Sequence, residues 1–200
     1  NLDYISLKYN LGGATTSSLP AAEDSLTAEN TSTKITVTGD IITAENKYDG
    51  TVSEISFSEN YGESMTFKKL IVWKDMLTAL AQENENGATS ILTSAMGTVW
   101  SNVTPDIFAE KDPGVPDELV INDIVTANDQ LYAGCDGGVL VTMTSCSKCS
   151  TAKTVCDFDI AEVECDGDVL LLTGANGEAA EISLADARQE NIKGEAALEL

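Results

Sequence analysis

The sequence predicts an all-β chain built from short repeated sheets, and three observations carry that expectation. Apolar, β-branched runs of four to eight residues recur along most of the chain; tight-turn pairs such as Gly39-Asp40, Asn128-Asp129 and Asp166-Gly167 separate them; and the strand-turn-strand-turn-strand order returns at a roughly constant spacing. The plan is clearest in Leu119 to Ser145, where Val120 to Val125, Gln130 to Gly134 and Val139 to Met143 are three strand-like runs joined by Asn128-Asp129 and Asp136-Gly137. Taking the glycine of the second turn as a marker gives Gly50, Gly87, Gly137 and Gly177, spaced by 37, 50 and 40 residues. A period near 40 with about four short strands per unit is the pattern of propeller blades, so the expected fold is a propeller-like array of about four units over residues 35–200. A β-sandwich with an N-terminal arm is the alternative.

Residues 1–34 open with a strand-like Tyr4 to Tyr9, which could complete the last unit beside Glu195 to Leu200. A Gly, Ser, Thr and Ala-rich stretch follows and reads as a flexible arm. The repeat is expected from Lys34, with ITVTGD, IITAENKYDG and TVSEISFSEN as strands. The second unit starts near Phe67 with KKLIVW, turns at Lys74-Asp75 and Asn86-Gly87, and adds TVWSNV as a fourth run. Its middle stretch, Asp75 to Glu83, contains good helix formers behind a capping Asp; the flanking turns decide for strand. Residues 104–118 hold three of the four prolines and read as an exposed loop. The last unit runs through VCDFDIAEVE, DVLLLTG and EAAEISL, and Ser183 to Asp186 followed by ARQEN reads as a capped short helix.

The run ILTSAMGTVWSNVT, residues 91–104, resembles the blade ends of Asp-box (BNR) and photosystem-assembly-factor-like propeller repeats. Thr93, Gly97 and Trp100 match, while Ala95 and Val99 stand where those repeats carry Asp and Thr. Ile121-Asn122-Asp123-Ile124 and Asp136-Gly137 resemble the opening of the same repeats. The likeness spans residues 67–184 and implies a propeller fold. Sialidases share the repeat, and similarity to them would imply an arginine cluster that grips a carboxylate. This chain has one Arg, Arg188.

With no His and 33 acidic against 11 basic residues, the net charge is −22. That surface repels phosphates and anionic lipids, so nucleic acid is excluded as a partner, and no run approaches a membrane span. The general base of most hydrolase triads is missing, which leaves no assigned catalytic residue and points to a non-enzymatic module. Five cysteines lie in the second half. Cys146, Cys149, Cys156 and Cys165 form a candidate zinc site with Lys148 and Lys153 nearby, although a disulfide within the set or free thiols fit the spacing as well. Asp157, Asp159, Glu162, Glu164, Asp166 and Asp168 around Gly167 resemble a calcium loop, but Thr173 stands where the bidentate Glu should be, and a solvated strand face gives the same alternation. Trp73, Trp100, Tyr132 and Phe158 could stack on sugars; each lies in an apolar run, where core packing is the commoner role, and loops such as 104–118 are the better binding candidates.

The expected function is therefore a structural or recognition module, part of a phage particle or a bacterial surface assembly, with protein subunits or glycans as partners and a homo-oligomer as one mode of assembly. A carbohydrate-binding or glycan-processing domain and a secreted adhesin are the alternatives. The start at Asn1, without an initiator Met, is expected of a processed or trimmed product.

Overall fold

The computed structural model describes residues 25–145 and 149–187. These fold into four sheets that follow one another along the chain. Sheet 1 contains β1 (Leu26–Glu29), β2 (Thr33–Thr38), β3 (Ile41–Asn46) and β4 (Val52–Ser56), followed by helix α1 (Phe57–Tyr61). Sheet 2 contains β5 (Met65–Trp73), β6 (Met76–Glu83), β7 (Thr89–Ser94) and the two-residue β8 (Ser101–Asn102). Strand β9 (Ile107–Lys111) comes next, then β10 (Ile121–Ala127), β11 (Gln130–Cys135), β12 (Val139–Met143) and β13 (Cys149–Thr154), and sheet 3 has the order β10-β11-β12-β13-β9. Sheet 4 contains β14 (Ile160–Asp166), β15 (Val169–Gly174) and β16 (Ala179–Ser183), with helix α2 (Leu184–Ala187) after it. Consecutive strands pair antiparallel, whereas β9 pairs parallel to β13.

Turn chemistry explains the hairpins. Lys74, Asp75, Asn128 and Asp129 all have positive φ, so the β5–β6 and β10–β11 loops are two-residue turns with both residues left-handed, the twist that matches a right-handed hairpin. Apolar side chains then fill the gaps between successive sheets. Ile35, Ile42, Phe67, Leu77, Ala79, Leu92 and Trp100 pack between sheets 1 and 2. Trp73, Leu80, Ile91, Leu131, Ala133, Val141 and Met143 pack between sheets 2 and 3, and Tyr132, Leu140, Ile160, Val163, Leu170 and Leu172 between sheets 3 and 4. Alternate residues of β6 and β11 thus enter opposite clusters, so sheets 2 and 3 are covered on both faces. That is why Met76–Glu83 lacks the polar alternation of a half-exposed strand.

A repeated backbone irregularity marks the same place in three sheets. β5, β10 and β14 each have a register shift just before Lys69, Asp123 and Glu162, and each of these residues lies four positions before its strand's last residue, Trp73, Ala127 and Asp166. A bulge re-aims the side chain that follows it. Here Lys69 Nζ donates to both Asp123 carboxylate oxygens at 2.8 and 2.9 Å, and Asp123 Oδ2 also accepts the backbone N–H of Val163 at 3.0 Å. One carboxylate therefore joins sheets 2, 3 and 4.

The structure corrects five points of the sequence reading. Leu26–Glu29, assigned to the arm, pairs with β2, so sheet 1 begins ahead of Lys34. Phe57–Tyr61 is helical rather than strand, because Ser56 Oγ caps the turn by accepting Glu59 N–H and buried Phe57 anchors it. TVWSNV contributes only Ser101–Asn102 to the sheet; Trp100 folds back instead, its indole N–H donating to Gly97 O at 2.9 Å. The loop 104–118 contains β9 and the buried Val115. Finally, the Gly50 turn joins β3 to β4, whereas Gly87, Gly137 and Gly177 lie between the second and third strands of their hairpin series, so the first spacing of 37 mixed two kinds of turn. Tyr4 to Tyr9 and Glu195 to Leu200 lie outside the described residues. The short C-terminal helix is present as α2, with Ser183 Oγ accepting Asp186 N–H at 3.1 Å.

Candidate functional site

The insertion between sheets 2 and 3 borders a concavity. Leaving β8, the chain runs through Thr104–Asp106 to the outer edge of sheet 3, pairs there as β9, and returns by way of buried Val115 to the opposite edge strand β10. Ile91 N–H donates to Thr104 Oγ1 and Ile121 N–H to Thr89 Oγ1, both at 2.8 Å, which ties the outgoing segment and the start of β10 to β7. Between them lies a cleft of about 620 Å³. Phe108, Leu119, Val120, Ile121 and Val141 form its apolar wall, Thr89 and Thr104 supply hydroxyls, and Asp106, Asp117 and Glu118 supply carboxylates. The volume is in the range of small-molecule and side-chain pockets.

Val120 is 47% exposed, so apolar surface is open to an occupant. Lys111 Nζ donates to Asp117, and this contact with the ammonium charge holds the Asp117 carboxyl below its ordinary value. A second, smaller cleft of about 360 Å³ lies between sheets 1 and 2, beside Asp40, Ser64, Thr66 and Asn84. Its polar groups are engaged with one another: Ser56 and Ser58 donate to Asp40, and Asn84 bridges Ser64 and Thr66.

Of the candidate metal ligands, Cys149 starts β13 and Cys156 follows its end, so roughly 17 Å of extended strand lies between residues 149 and 154 at about 3.3 Å per residue. Cys156 Sγ lies against Phe158 O at 3.4 Å, and Cys165 Sγ against Gly167 O at 3.5 Å. Cys146 lies outside the described residues. Among the described residues no group of three or more Cys, Asp or Glu is placed to hold a metal. Of the calcium-loop candidates, Glu162, Glu164 and Asp166 lie on the exposed face of β14, and Asp159 Oδ1 accepts the Gly137 N–H at 2.7 Å.

The aromatic candidates are core residues. Trp73, Trp100 and Tyr132 are 1%, 5% and 0% exposed, which excludes them as a stacking platform. Trp73 Nε1 donates to Asp129 O between sheets 2 and 3, and Phe158 packs against the cluster between sheets 3 and 4. Of the groups singled out from the sequence, the loop 104–118 is the one that reaches the cleft. The remaining lining, Ala88, Thr89, Leu119, Val120, Ile121 and Val141, was missed because it comes together through the return of that loop across sheet 3.

Fold and cleft define an all-β protein of four successive sheets carrying an acid-rimmed apolar concavity. No protein-family model matches the chain, and no curated protein matches it. Among solved structures it is similar to the computationally designed Ika4 protein, with a TM-score of 0.51 and 8% identity over 85% of this chain and 95% of that one. It is also similar to the computationally designed Ika8 protein, with a TM-score of 0.50 and 8% identity over 79% of this chain and 45% of that one. At such identity the likeness concerns the fold alone.

Proposed function

We propose that the chain is a non-enzymatic recognition module in which four propeller-like sheets hold the insertion loop rigid and the cleft between sheets 2 and 3 receives the ligand. The carrying observation is the cleft itself: apolar Phe108, Leu119 and Val120 beside Asp106, Asp117 and Glu118, with the outgoing segment and the start of β10 tied to β7 by hydrogen bonds from backbone N–H groups to threonine hydroxyls. Sites on such anchored segments present fixed geometry, which favours binding over adaptation. The propeller-like reading draws support from the radial order of contacts, since β1 packs on β5, β5 on β10 and β10 on β14. A particle or cell-surface assembly is the setting proposed for it, because a charge of −22 keeps crowded copies apart in solution.

The test is a combined peptide and glycan array with a hydrolase substrate panel, run on the protein and on Val120→Arg, which fills the cleft mouth from an exposed position. Binding that Val120→Arg abolishes, with no turnover, is the expected result. Turnover of any substrate, or binding unchanged in the variant, would overturn the reading.

A further inference from the structure

We infer that Asn176 is a site of spontaneous covalent modification, losing its side-chain amide to attack by the Gly177 backbone nitrogen, and that the same dipeptide at Asn86-Gly87 is protected by its surroundings. Both are Asn-Gly steps in exposed hairpin turns, the first joining β15 to β16 and the second β6 to β7. Glycine in second place leaves the attacking nitrogen unhindered, because no Cβ stands beside it. In the reaction the Gly177 N–H gives its proton to hydroxide, the nitrogen bonds to Asn176 Cγ, the Cγ–Nδ2 bond breaks and ammonia leaves. Water then opens the cyclic imide at either carbonyl, giving aspartate or isoaspartate. Water and hydroxide are the only co-reactants.

Geometry separates the two turns. At Asn86 both ends of the side-chain amide are held, Nδ2 donating to Glu83 Oε2 at 2.6 Å and Oδ1 accepting the Ala88 N–H at 2.7 Å. Gly87 is held as well: its N–H donates to Glu83 O at 2.9 Å, and its carbonyl accepts from Gln82 Nε2 at 3.0 Å. Swinging Cγ onto the Gly87 nitrogen therefore breaks two short side-chain bonds and a backbone one. At Asn176 the amide makes one bond, from Nδ2 to Glu178 Oε1 at 3.2 Å, the long end of the range, and among the described residues its Oδ1 accepts none. Gly177 N–H meets Gly174 O at 3.1 Å, and the space on the Cβ side of Gly177 is open. The product also reverses a contact. Asn176 N–H and Nδ2 both donate to Glu178, whereas the new carboxylate faces it with like charge. The isoaspartyl form adds a backbone atom to the turn that sets the register of β16 on β15.

The full chain is incubated at pH 8, folded and in urea, and conversion of each asparagine to aspartate and isoaspartate is followed by mass spectrometry of the peptides. In the folded chain Asn176 is expected to convert at least fivefold faster than Asn86. In urea, where both turns are lost, the two rates should agree within about twofold. Two variants, each confirmed as folded by a thermal melt, test the assignment of the restraints. Glu83→Ala frees the Asn86 amide and should speed its conversion at least threefold with Asn176 unaffected; Glu178→Ala removes the single bond on Asn176 and should leave Asn86 unaffected while Asn176 converts at least as fast as before. Equal rates in the folded chain, or faster conversion of Asn86, would overturn the inference. So would an Asn176 that stays intact in the folded chain while both convert in urea, or an Asn86 rate unchanged by Glu83→Ala.

Discussion

Replacing Asp123 separates the energies that join three sheets. Asp123 is 9% exposed and accepts from Lys69 in sheet 2 and from the backbone of Val163 in sheet 4, itself fully buried. Asp123→Ala strands the Val163 N–H away from water, which costs about 1–3 kcal/mol. It also removes the Lys69 ion pair. Lys69 keeps 36% of its side chain exposed and can be rehydrated, so that part is worth only about 1 kcal/mol. The sum is about 2–4 kcal/mol. Asp123→Asn keeps an acceptor for Val163 and loses the charge, so about 1–2 kcal/mol is expected, close to the cost of Lys69→Met plus the change in hydrogen-bond strength. Urea denaturation followed by tryptophan fluorescence measures this in a Trp100→Phe background, where Trp73, buried between sheets 2 and 3, is the sole reporter. If Asp123→Asn costs as much as Asp123→Ala, or if both cost under about 0.5 kcal/mol, the bridging argument is wrong.

Two further outcomes follow from the titratable groups. Burial, aided by the charge of Asp136, pushes the Cys135 thiol up to about 12, so it should stay unalkylated by iodoacetamide at pH 8 in the folded protein and react once urea unfolds it, as read by mass spectrometry of the peptide. For Asp40, partial burial pushes the carboxyl up, but hydrogen bonds from Ser56 Oγ, Ser58 Oγ and Ser58 N–H together outweigh it and hold the group below its ordinary 3.8. Its stabilising contribution is therefore fully present above that value and is lost as pH falls through the lower folded one. Acid titration of Asp40→Asn should lack this loss, and an identical acid transition in both proteins would refute the assignment.

What the sequence revealed was the local part of the fold. Asn128-Asp129 and Asp166-Gly167 mark turns by their own backbone preferences, the second of them observed one residue later at Gly167-Asp168, and strands flanking them could be placed without knowing their neighbours. Phe57–Tyr61 was misread because EISFSENY alternates well enough for a strand; the deciding interaction, Asp40 accepting from Ser56 and Ser58, comes from a turn far back in the chain. Strand β9 was hidden for the same reason. IFAEK is short, sits in a proline-rich stretch and is held by pairing with Cys149–Thr154, far along the chain. Sequence distance says little about the cysteine grouping, because an extended β13 lies between Cys149 and Cys156. The cleft was half legible, since the proline-rich acidic loop was visible but the wall it returns to was not.

The parallel pairing of β9 also sets an order of events during synthesis. Ile107 leaves the ribosome 42 residues ahead of Cys149, its partner (149 − 107), which is a delay of about 2–8 s at ordinary translation rates. Sheets 1 and 2 have all their strands before β13 is made, while β9 must wait beside them with no edge to join. Closing that long excursion is an entropic cost met late, by a strand whose neighbours are already in place. The cleft beside Phe108 therefore takes its final shape only after Cys149–Thr154 has docked, and a nascent chain halted between the two strands would display the four strands of sheet 2 beside an unfinished cleft.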